Sequence, residues 1–187
     1  MPDQPVLHGM GLEPSITDRE TLDRLFSATY EELRRLATSV RRDDPNVSLS
    51  PTALVNEAWL KLAGSAPFSA TSQLHFKRIA ARAMRQVLVE AARRRRAGKR
   101  GGGVAPITFD EAVSHVEGGA DELLALDAAL EELARLHPRQ ATMIESRFFG
   151  GLDIPETARL LGVSEATVLR DWRVAKAFLA RELRQGP

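Results

Sequence analysis

The residues best suited to chemistry are cations at helical spacing. Between Lys77 and Arg100 there are ten basic side chains and one acidic one, Glu90. That segment carries a net +9 in a chain whose formal total is +1, so the remainder sums to −8. On a helical projection Arg78, Arg82, Arg85, Arg93 and Arg96 fall within about 80° of one another, with Val89 interrupting the stripe. Arg94 and Arg95 complete the run. Such a stripe suits a polyanion whose charges are evenly spaced. Phe68, His75 and Phe76 lie close enough in sequence to stack on unpaired bases, although plain core is an equally good reading of Phe68 and Phe76. From Asp110 to Glu132 the sign reverses, with eight acidic residues and no Lys or Arg.

A second constellation runs from Asp153 to Trp172. Asp153 and Glu156 have capping-box spacing, and Pro155 falls in a first helical turn where a missing N–H costs nothing. Gly162 sits where a turn wants a positive φ, and Ser164 is placed to cap a second helix. The spacing from Ala158 to Gly162 to Val168 matches a helix-turn-helix. On the second helix Val168, Trp172, Ala175 and Leu179 share a narrow apolar arc. Ala166, Arg170, Arg173 and Ala177 lie opposite, with Thr167 and Lys176 on the flanks. Small residues there permit close approach, and Arg reaches phosphates or guanine edges.

Catalytic groupings are missing by comparison. The four His are scattered and Cys is absent, so no disulfide or thiolate metal site is expected. No phosphate-cradling Gly loop and no Ser/His/Asp arrangement stands out. Neither a cofactor nor a metal is expected, and the chain reads as a binding protein with no enzyme activity.

The elements that must carry these residues are helices. Leu22, Leu25, Phe26, Leu33, Leu36, Ala37 and Val40 form one stripe, and Asp43-Asp44-Pro45-Asn46 breaks it. Ser50-Pro51 restarts a helix whose Leu54, Val55, Ala58, Trp59 and Leu62 face one side. Asn56 and Glu57 are polar within it, and beside Trp59 and Leu60 they would form a protein-binding face. A third helix starts near Gln73 and ends in the arginine run. Five Gly between Gly101 and Ala120 predict a flexible linker, with a short ordered piece at Ile107 to Phe109. Leu123, Leu126, Leu130, Leu133 and Leu136 then make a stripe, His137-Pro138 marks a boundary, and Gly150-Gly151 ends the next helix. The expected architecture is all-α. An N-terminal tail spans 1–16, a first helical domain 17–100, a linker 101–120, and a second small domain with the helix-turn-helix 121–187. No apolar run approaches the roughly 18 residues of a membrane span, and residues Met1 to Met10 lack a secretory pattern. A cytoplasmic protein without membrane insertion is expected.

Taken in order, these segments resemble the extracytoplasmic-function (ECF) group of bacterial RNA polymerase sigma factors, over about Thr17 to Leu183. Leu54-Val55-Asn56-Glu57-Ala58-Trp59-Leu60 looks like the family's Leu-Val-Gln-Glu-x-Phe-Leu segment, which grips the polymerase's largest subunit. Phe76-Lys77-Arg78-Ile79-Ala80-Ala81-Arg82 resembles the start of the helix that melts and reads the −10 element, and Arg93 to Arg96 match its basic end. Leu136-His137-Pro138-Arg139-Gln140, Arg147-Phe148-Phe149-Gly150-Gly151-Leu152 and the helix-turn-helix resemble the domain that docks on the −35 element. The sequence departs from the family where Pro51-Thr52 replaces an acidic pair, where His75 replaces a common Trp, and where Arg82 replaces a common Asn. These changes fit a subgroup with its own promoter sequence.

The resemblance implies a sigma factor that binds core RNA polymerase and promoter DNA and directs transcription initiation. It implies −10 contacts from Phe76, Arg78, Arg82, Arg85 and Arg93 to Arg96, and −35 contacts from Ser164, Ala166, Thr167, Arg170, Arg173 and Lys176. Leu54, Asn56, Glu57, Trp59 and Leu60 would hold the polymerase. The acidic linker would follow cationic polymerase channels. With no further domain expected after Leu183, control would fall to an anti-sigma factor, another regulator in trans, or a modification. The rival reading is a stand-alone helix-turn-helix regulator of duplex DNA, which leaves Leu54 to Leu60 and the linker without a task. A nuclease is a third reading without a visible site.

Overall fold

A computed structural model of the chain describes residues 19–40, 49–64, 72–98 and 120–185. Among these residues the protein is entirely helical. The helices are α1 (Arg19–Val40), α2 (Pro51–Ala63), α3 (Gln73–Gly98), α4 (Ala120–Leu136), α5 (Pro138–Phe148), α6 (Ile154–Leu161) and α7 (Glu165–Gln185). The expected tail at 1–16, the break at 43–46, Phe68, the linker and its ordered piece at 107–109 lie outside the described residues.

Local sequence explains where the helices begin and end. The Ser50 side chain accepts the Ala53 N–H at 3.0 Å, and Pro51 occupies the first turn of α2. Pro138 likewise occupies the first turn of α5, there without a side-chain cap. Asp153 caps α6 by accepting the Glu156 N–H at 2.7 Å, and Glu156 Oε2 accepts the Asp153 N–H at 3.0 Å. Gly162 closes α6 in the left-handed region, at φ 64°. Ser164 then accepts the Thr167 N–H at 3.2 Å to start α7.

The core is one continuous apolar cluster reaching from Leu22 on α1 to Leu183 on α7. Helix α3 is its spine, packing against α2 on one side and against α4 and α5 on another. Its sequence permits this because Ala80, Ala81, Ala83, Ala91 and Ala92 are all buried, letting neighbours approach from several directions. On the same helix Val87 is buried as well and Ile79 is half-buried.

The two halves therefore touch. Where Gly150 meets α3, an added Cβ would lie 3.1 Å from the Ala81 Cβ and 2.4 Å from the Ser146 carbonyl oxygen, so this position takes no side chain without movement. Leu22, Leu33 and Ala37 of the α1 stripe are buried, and Leu25, Phe26 and Leu36 are half-buried. Phe26 stacks on Trp59 at 4.5 Å between ring centroids, joining α1 to α2.

Candidate nucleic-acid and polymerase interface

The cationic stripe of α3 divides into two populations. Arg78, Arg82, Arg93, Arg94 and Arg96 are exposed. Arg85 is not: its side chain is 14% exposed and held by two carboxylates of the second half. Its Nε donates to Asp127 Oδ1 at 2.9 Å, one terminal nitrogen donates to the Asp127 carbonyl at 3.0 Å, and the other donates to Glu145 at 3.2 Å. Arg93 reaches the second Asp127 oxygen at 3.4 Å, and Arg96 lies 3.3 Å from Asp121. Val89, in the middle of the stripe, is buried.

An open groove of about 730 Å³ runs along this seam, with Arg78, Arg82, Arg85 and Arg93 on one wall and Asp127 and Glu145 on the other. The sequence pattern of a bare basic face thus needs correction at Arg85. An acidic helix from the neighbouring half covers that part of it.

Phe76 also departs from the base-stacking reading. It is fully buried in the core, between residues of α1 and α2, and stacking on a base would mean leaving that core. Among the residues expected to grip the polymerase, Leu54 is likewise fully buried and Trp59 is half-buried against Phe26. Asn56, Glu57 and Leu60 do form an exposed face on α2, and Leu60 is 63% exposed. The period of the helix separates the two groups: Leu54, Val55, Ala58 and Leu62 point inward, while positions 56, 57 and 60 share the opposite arc.

Lys77 forms a second clasp. Its ammonium lies 2.6 Å from Glu32 of α1 and 3.1 Å from Glu156 of α6, with little of the side chain exposed. Burial pushes its pKa down, but the hydrogen bonds and charges of Glu32 and Glu156 outweigh burial and hold it above the ordinary value.

On α7 the expected split between faces is present. Val168, Ala175 and Leu179 are buried, while Ser164, Ala166, Arg170 and Arg173 are exposed. Thr167 and Lys176 are half-buried. The back of α7 is anchored by the buried Asp171, which accepts from Arg139 of α5 at 2.7 Å. The Arg147 guanidinium stacks 4.5 Å from the centre of the Trp172 ring. Burial lowers the Arg147 pKa, with Asp153 partly opposing it.

Asp127, Glu145 and Asp171 were not singled out from sequence. Two of them carry a readable signal. Asp127 falls on the arc of Leu123, Leu126 and Leu130, and Asp171 falls on the arc of Val168 and Ala175. A carboxylate inside an apolar arc is rarely buried without a cationic partner.

Among the described residues no His/Asp/Glu/Cys group could hold a metal ion, and no helix is long and apolar enough to cross a membrane. The arrangement offers two cationic helices and one exposed amphipathic patch, a set suited to binding. The model of the family described as ECF sigma factor matches residues 16–185, so the chain belongs to the ECF sigma factor family, whose members act in transcription initiation. That family is not a class of enzymes. Comparison with curated proteins and with solved structures returns no match.

Proposed function

We propose that this chain binds core RNA polymerase and carries it to promoters, reading duplex DNA at the −35 element with α7 and holding the opened −10 strand with α3. Asn56, Glu57 and Leu60 of α2 are the polymerase-facing residues. Arg170 and Arg173 are the main −35 contacts, supported by Ser164, Ala166, Thr167 and Lys176. Residues 17–100 and 121–187 act as the two DNA-binding modules, working in the cytoplasm where polymerase and chromosome meet.

The observation that carries this reading is the exposed cationic face of α7, which follows a capped helix and a tight turn within a family match covering most of the chain. Small Ala166 and Ala177 let the backbone approach the major groove, and the two Arg reach base edges or phosphates.

Binding at the −10 strand asks for one further event. Arg85 is available to a phosphate only after Asp127 and Glu145 release it, so the closed form is the free form and polymerase binding separates the halves. An anti-sigma factor or another regulator in trans would act on that same equilibrium.

The reading is tested by transcription in vitro with core polymerase and a promoter library. The chain should start transcripts from a defined subset of templates, and Leu60→Asp should abolish this by preventing co-purification with core. A chain that binds duplex DNA specifically but never associates with core polymerase would instead be a stand-alone regulator.

A further inference from the structure

Two large apolar side chains stand in solvent on α7 without belonging to its packed face. Leu169 is 40% exposed and Val174 is 50% exposed. At about 100° per residue they flank the Ala166–Arg170–Arg173 face on opposite sides. Leu169 is in the second turn, one turn from both Ala166 and Arg173. Val174 is one turn further along and on the Arg170 side.

Residues in the first turns of a helix laid in the major groove are those that reach base edges. Among base edges there, only thymine presents a methyl group, and an apolar side chain is its natural contact. Single exposed apolar residues are ordinary on protein surfaces. An exposed Leu beside a groove-facing Arg, on a helix whose inner face is already filled by Val168, Ala175 and Leu179, has a more specific use.

We propose that Leu169 is a specificity-determining residue that packs on the C5-methyl of a thymine in the upstream duplex element, next to the base contacted by Arg173. This rests on the assignment of α7 to the −35 duplex. Leu169 then contributes sequence preference at a position with no hydrogen bond to read, while Arg170 and Arg173 supply the charge that holds the helix in the groove. Val174, further from the start of the helix, does not reach a base.

The test uses holoenzyme assembled from the full chain and core polymerase, and a promoter selected by that holoenzyme from a random library. Each thymine of the upstream element, on either strand, is replaced by deoxyuridine, which removes the methyl and nothing else. At one or two positions the wild type should lose about fourfold in promoter binding. Leu169→Ala should bind the unmodified promoter roughly tenfold more weakly and lose the penalty at one of those positions, and Val174→Ala should keep every penalty.

Three results would overturn the proposal: a scan with no methyl-sensitive position, a penalty that persists in Leu169→Ala, or a Leu169→Ala defect equal on all templates. The last would move Leu169 to a polymerase contact. A wild-type holoenzyme that selects no promoter fails earlier, at the assignment of α7 itself, and is seen before any base is changed.

Discussion

Helices α3 and α7 both carry arginines on one face and apolar residues on the other, yet the fold uses them differently. Helix α7 leaves Arg170 and Arg173 in solvent, and the Arg170 side chain is 70% exposed. Helix α3 is surrounded, and its Arg85 is folded into the seam between the two halves. The difference does not come from the arginines. It comes from the neighbours: α4 brings Asp121 and Asp127 to α3, and α5 brings Glu145, whereas the carboxylate beside Arg170 belongs to Asp171, which is turned inward toward Arg139. Whether a basic helix is an open surface or part of a contact is settled by the charge of the element packed beside it.

This contrast predicts unequal responses to similar changes. Arg85→Met should be the largest, because it leaves the Asp127 and Glu145 carboxylates buried without their main cation. A loss of about 3–5 kcal/mol is expected in urea unfolding. Arg170→Met should leave the urea midpoint unchanged, and equal effects at the two sites would erase the distinction.

Gly150→Ala tests the close approach from the other side. Its Cβ would meet the Ser146 carbonyl oxygen and the Ala81 methyl, so a loss of about 1–3 kcal/mol is expected. For α7 the effect should appear in binding alone. Arg170→Ala in the holoenzyme should weaken promoter binding by about 1–3 kcal/mol and relax preference at one base pair, measured across a substitution library. Uniform weakening on every sequence would make Arg170 a phosphate contact.

The smallest effect concerns pH. Lys77 has a folded pKa above its ordinary value of 10.5, so its contribution is fully present below that pH and is lost as pH rises through the higher folded value. Stability of the wild type should fall at the alkaline end more steeply than that of Lys77→Met, as followed by helical circular dichroism.

Much of this was legible in the residues. The helical class, the Ser50 and Asp153 caps, the turn at Gly162 and the two faces of α7 follow from spacing and cap chemistry, which act over four or five residues. The fate of α3 did not follow from its own periodicity. Its Ala-rich sequence lets neighbours pack on more than one side, and the covering helix begins more than twenty residues after α3 ends. The burial of Phe76 and Leu54 has a related cause. The sequence motif resembling the family includes both its inward and outward positions, and only the period of the helix separates them. Asp127 and Asp171 were detectable as carboxylates inside apolar arcs, though their partners Arg85 and Arg139 were not.

Glu156 serves two masters with two oxygens: Oε2 completes the start of α6 at the Asp153 amide, while Oε1 holds Lys77. If the halves part, the Lys77 contact is surrendered and the Asp153 contact remains. The first turn of α6 would then stay secured from within as the second half moves away. Undocking and unravelling are uncoupled at a single carboxylate.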